Sequence, residues 1–103
     1  MMDLVFTVRL ENENGSVIDE FEANMETLAR LLPSKNDGDF KCLCFVDPYD
    51  NASFNHHQME FMQREVSLLR KRHADPEAIS ILDSIDRLVK QRAIHAYLKF
   101  YGD

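Results

Sequence analysis

Leu4, Phe6, Val8 and Leu10 occupy every second position near the start of the chain, with Asp3, Val5, Thr7, Arg9 and Glu11 between them. That is the two-residue period of a strand with one buried face. Such a strand needs strand neighbours for its backbone and a cover for its apolar side, so it commits the chain to a layered structure. Asn12-Glu13-Asn14-Gly15-Ser16 follows and contains Asn-Gly, a dipeptide that accepts positive φ in tight hairpin turns. Residues 16–22 are therefore expected to return as a second, antiparallel strand. At 103 residues the chain suits one domain spanning residues 1–103, because typical domains hold about 100–150 residues.

The period then changes. Asn24 can cap a short helix starting at Met25, with Leu28, Leu31 and Leu32 as a narrow apolar stripe and Pro33 as its stop. After the polar loop at 34–39, residues 40–46 are apolar on both faces, which predicts a central strand ending at Asp47. Asn55 is a good cap for a long helix carrying Met59, Met62, Val66 and Leu69 at spacings of three and four, widened by Phe61 and Leu68. Met59 and Met62 read as core filler. Asp75 followed by Pro76 opens a further helix, its apolar face formed by Ile79, Leu82, Ile85, Leu88, Val89 and Ala93. The last ten residues satisfy both periods. Tyr97, Phe100 and Tyr101 favour a pleated surface, so a strand is expected there. The predicted fold is α+β: a sheet of about four strands in the order β-β-α-β-α-α-β, with the helices packed on one face.

Composition narrows the function classes. Twelve basic residues stand against 18 acidic ones, a net charge of −6, and a negative field repels phosphate backbones. Nucleic acid is not an expected partner. The excess is confined to the first half, where residues 1–50 hold 11 acids and 4 bases while the remainder holds 7 acids and 8 bases. An acidic half of this kind can steer a basic protein partner. No apolar run approaches the roughly 18 residues of a membrane span. The first residues show no basic stretch leading into an apolar one, so the expected location is cytoplasmic.

Cys42 and Cys44 would lie on one face of a strand about 7 Å apart, so buried free thiols are expected instead of a disulfide. A single Cys-x-Cys offers too few ligands for structural zinc. Adjacent His56 and His57 should point about 100° apart on a helix, so neither a metal nor a cofactor is expected. No glycine-rich phosphate loop or nucleophile motif occurs.

Two candidate contact regions remain. The first is the polar cluster Asp47, Tyr49, Asp50, Asn51, Asn55, His56, His57 and Gln58, running from a strand end through a turn into a helix, a junction of the kind that builds binding sites. Asp47, Asp50 and Asn55 are equally the residues that turns and caps require. The second is the sheet face left bare by the helices, where His95, Tyr97, Lys99 and Tyr101 would join Val5 and Thr7. Tyrosine offers large contact area with few rotors.

At Phe45-Val46-Asp47-Pro48-Tyr49-Asp50-Asn51 followed by Phe54-Asn55, and again at the ending Leu98-Lys99-Phe100-Tyr101-Gly102-Asp103, the chain resembles small uncharacterised bacterial proteins. With residues 6–12 the likeness spans most of the sequence. Those proteins have no assigned activity, so the resemblance implies no catalytic residue. In size and acidity the chain is also similar to immunity proteins that neutralise bacterial toxins, and to products of mobile gene cassettes.

The expected function is a non-enzymatic protein-binding module, either an immunity-type inhibitor with a basic partner or a homodimer packed through exposed sheet. The alternative is a small enzyme or ligand-binding protein using Asp47, Asp50, His56 and His57.

Overall fold

The computed structural model describes residues 5–47 and 50–102. Asp3 and Leu4, expected in the first strand, and Pro48 and Tyr49, expected in the turn, lie outside them. The alternating segment forms β1, Val5–Asn12, and returns as β2, Val17–Asn24. Asn12 organises the turn: its side-chain oxygen accepts the amides of Asn14 and Ser16 at 2.9 and 3.0 Å. Gly15 supplies the positive φ of 82°, and Asn14 stays at negative φ, so one left-handed residue suffices where a two-residue turn of type I′ would need two.

Two further strands complete the sheet. The first is the short β3, Ala52–Phe54, and the second is β4, Ala96–Tyr101, both antiparallel to their neighbours, giving the order β2-β1-β4-β3. The terminal segment is therefore a strand. Along β4 each buried residue (Ala96, Leu98, Phe100) alternates with a half-buried one (Tyr97, Lys99, Tyr101).

Three helices cover one face. They are α1, Met25–Leu31, α2, His56–Arg72, and α3, Pro76–Lys90. Each begins at the cap the sequence predicts: the side chains of Asn24, Asn55 and Asp75 accept the amides of Thr27, Gln58 and Ala78. Such bonds satisfy amide donors that the first helical turn leaves orphaned. Phe6, Val8, Leu10, Leu98 and Phe100 of the sheet are fully buried with Leu28, Met59, Met62, Leu82, Ile85 and Leu88 of the helices. The ring of Phe100 packs edge-on to Phe54 at 5.7 Å and tilted against Phe6 at 6.1 Å. α3 ends at Lys90, so Ala93 leaves its apolar face, lies exposed, and accepts the amide of Ala96 in the turn leading to β4. Phe61 likewise stays out of the core at 44% exposure, with the Lys41 ammonium 5.2 Å from its ring centre.

Residues 40–46 correct the expectation of a central strand. They form an irregular segment with one 3₁₀ turn at Leu43–Phe45, and the third strand is the edge element β3 further along. The cause is Glu65, a buried carboxylate on α2 that accepts the amides of Lys41, Cys42 and Leu43 at 2.9, 3.1 and 2.8 Å. The amides of Phe45 and Val46 then turn inward to the carbonyls of Cys42 and Leu43. With its donors taken, the segment packs as an apolar plug, Phe40, Cys42, Leu43, Cys44 and Val46 buried and Phe45 facing out. No helix among the described residues is long and apolar enough to cross a membrane.

Candidate functional site

Among the described residues no helix covers the outer face of the sheet, and the register sets its side chains in rows. Thr7 stands beside Tyr101, Arg9 beside Lys99 and Glu11 beside Tyr97 on one side of β1, and Arg9 stands beside Glu20 on the other. Cross-strand partners share a face and lie close enough to interact. The Arg9 Nε meets the Glu20 carboxylate at 2.7 Å, and its guanidinium carbon lies 5.4 Å from the Tyr101 ring centre.

Glu11 anchors this face. It is only 5% exposed, a position a carboxylate tolerates only with partners. The Tyr101 hydroxyl donates to one of its oxygens and the Lys99 ammonium sits 3.2 Å from the other. Burial alone would push this carboxyl up, but the hydrogen bonds from Tyr101 and Lys99, aided by the charges of Lys99 and Arg9, outweigh it and hold Glu11 below its ordinary value. Tyr101 is pushed above its own, first by its bond to Glu11 and then by burial. Tyr97 is half-buried, while exposed His95 stands 3.5 Å from the Glu13 carboxylate.

The turn and helix start divide into two groups. Asp47 is half-buried and its carbonyl accepts the Asp50 amide. The Asp50 carboxylate accepts the Asn51 amide at 2.8 Å, and the Asn51 side chain accepts the Gly102 amide at 3.1 Å, tying the turn to the end of β4. Asn55 and Gln58 form a reciprocal capping box. Asp50, Asn51, Asn55 and Gln58 thus perform the turn and cap chemistry their residue types favour.

His56 and His57 do not diverge as the average helical angle predicts. Their rings lie 4.0 Å apart at 37°. Both sit in the first turn of α2, where no preceding turn blocks rotamers that a helix interior forbids. Glu60, one turn on from His56, joins them, and the possible ligand atoms of all three lie within 4.8 Å of one another.

No family model matches this chain, and neither does any curated protein or solved structure. The assignment of a function therefore rests on the geometry.

Small clefts among the described residues lie elsewhere. One of about 180 Å³ is lined by Glu22, Asn24, Thr27, Glu77 and neighbours, and one of about 140 Å³ by Asp39, Lys41, Phe61, Arg64, Glu65 and Leu68. Both fall short of the roughly 300 Å³ at which small-molecule sites usually begin. Glu65 and Glu60 are the important side chains that periodicity passes over. The signal for Glu65 is a carboxylate beside Val66, in the middle of an apolar stripe, and for Glu60 its spacing of four from His56.

Proposed function

We propose that this chain is a non-enzymatic protein-binding module that docks a basic partner surface on the bare sheet face and the adjoining edge of β2. The observation that carries the reading is an uncovered face whose polar and aromatic side chains are already held in place by the Glu11, Tyr101, Lys99 and Arg9 contacts. Pre-ordered side chains lower the entropy cost of association.

The edge supports a basic partner over a second copy. Among the described residues β2 pairs on one side only, leaving a row of backbone groups open to pairing. Val17 and Ile18 there are 47% and 46% exposed, but Glu20 and Glu22 are exposed beside them. Antiparallel pairing of two β2 strands would bring like charges together, whereas a lysine- or arginine-bearing surface meets them favourably. An immunity-type inhibitor acting in the cytoplasm is the form of this reading that size and acidity suggest. A small enzyme built on Asp47, Asp50, His56 and His57 draws less support, because the Asp50 carboxylate is turned back onto its own turn.

The test combines light scattering of the free chain with affinity for a partner isolated from the native host. Charge reversal belongs at Glu22 and not at Asp19 or Glu20, since Asp19 holds Arg87 of α3 and Gln91 just past its end, and Glu20 holds Arg9. A monomer whose partner binding falls at least about tenfold on Glu22→Lys, with unchanged thermal melting, supports the reading. Unchanged affinity, or a stable dimer of the free chain, overturns it.

A further inference from the structure

We propose that His56, His57 and Glu60 form a surface site for one divalent transition-metal ion, Zn²⁺ or a close relative, at the start of α2. The inference is separate from the docking face and rests on a convergence of donors. Two imidazoles and one carboxylate present ligand atoms that all lie within 4.8 Å of one another. In a tetrahedral zinc site with bonds of about 2.0–2.1 Å, ligand atoms stand about 3.3 Å apart. Closing the cluster around an ion therefore requires the widest-spaced donors to approach by about 1.5 Å, with the two rings turning out of their stacked arrangement.

The local architecture suits such closure. The capping box of Asn55 and Gln58 fixes the first turn. His56 and Glu60 are four residues apart and so share a face of α2, and the first-turn rotamer that stacks His57 on His56 supplies the third donor. His56 is half-buried, while His57 and Glu60 are exposed. The site is thus open on one side, with three protein ligands and a position left for water or an external group, the coordination of open zinc sites as distinct from closed structural ones.

Donor chemistry selects the ion. Imidazole with carboxylate suits Zn²⁺, Ni²⁺ and Cu²⁺, whereas Ca²⁺ and Mg²⁺ prefer all-oxygen shells. The positive end of the α2 dipole opposes a cation. With only three ligands, affinity on the order of micromolar is expected, not the far tighter binding of four-ligand structural zinc.

The experiment titrates the full chain with Zn²⁺ alone by calorimetry at pH 7.5, with Co²⁺ as the spectroscopic probe. The expected result is one ion per chain and a visible Co²⁺ ligand-field band. His57→Ala and Glu60→Gln should each weaken binding at least about tenfold. Both side chains are exposed, and unchanged far-ultraviolet dichroism verifies folding. His73→Ala/His95→Ala, which removes the histidines outside the cluster, should bind as the original chain does. Absence of Zn²⁺ heat and of the Co²⁺ band overturns the proposal, as does binding that survives His57→Ala and Glu60→Gln undiminished or is lost with His73 and His95.

Discussion

The Glu65 carboxylate receives the Leu43 amide at 2.8 Å across 22 residues of sequence, and its other oxygen receives the amides of Lys41 and Cys42. One side chain thus replaces the sheet ladder for a whole apolar segment. Replacing Glu65 with alanine leaves buried donors unsatisfied and is expected to cost about 3 kcal/mol, measured by urea denaturation. Glu60→Gln, on the exposed side of the same helix, is the control and should stay within about 0.5 kcal/mol.

The same contact governs the thiols. Burial pushes Cys42 up to about 11, with the neighbouring Glu65 and Cys44 adding to it, and burial raises Cys44 as well. The thiolate is the reactive form. Ellman's reagent at pH 8 should therefore leave both cysteines of the native chain unmodified and titrate two per chain in urea. Glu65→Ala, by loosening the plug, should speed native-state labelling. Fast labelling of the folded original chain would contradict the burial described.

Much of the fold was legible because its determinants are local. The alternation at Phe6, Val8 and Leu10, the caps Asn24, Asn55 and Asp75 and the stripe from Met59 to Leu69 each depend on neighbours within one or two turns. Residues 40–46 differ from the sequence expectation for the opposite reason: an apolar run on both faces describes a central strand and a buried plug equally well, and Glu65, a distant competitor for the backbone, decides between them. The candidate sites split the same way. Tyr97 and Tyr101 reach the bare face by strand alternation alone. The convergence of His56, His57 and Glu60 depends on rotamers that an average helical angle does not describe.

Glu11 and Tyr101 set opposite pH limits. Glu11 is held below its ordinary 4.5 in the folded chain, so its contribution is present above that value and fades as pH falls through the lowered one. Tyr101 is raised above 10, so its contribution is present below pH 10 and fades as pH rises through the raised value. Tyr101→Phe removes the hydroxyl and should lower stability by about 1–2 kcal/mol near neutral pH. In urea denaturation across pH, the difference from the original chain should shrink at both the acid and alkaline extremes. A difference that stays constant from acid to alkali would mean the hydroxyl and carboxylate do not interact.

Asp75 offers a sharper acid test. Arg30 grips it with two hydrogen bonds of 3.0 Å each, and it also caps α3 through the Ala78 amide. The guanidinium first, and the amide second, draw its carboxyl from 3.8 down to about 2. A lowered folded-state value means that the stabilisation is complete above about pH 5 and is lost as pH falls toward 2. Carbon-13 detection of the Asp75 carboxyl should therefore give a midpoint near 2. Asp75→Asn keeps a capping oxygen but loses the ionic partner, so its melting temperature should fall below the original at pH 6 and converge with it as pH approaches 2. The pair is solvent-exposed, and added salt should narrow the gap at pH 6. A carboxyl titrating near 4, or a melting gap that persists unchanged at pH 2, would show that Arg30 does not hold Asp75 in solution.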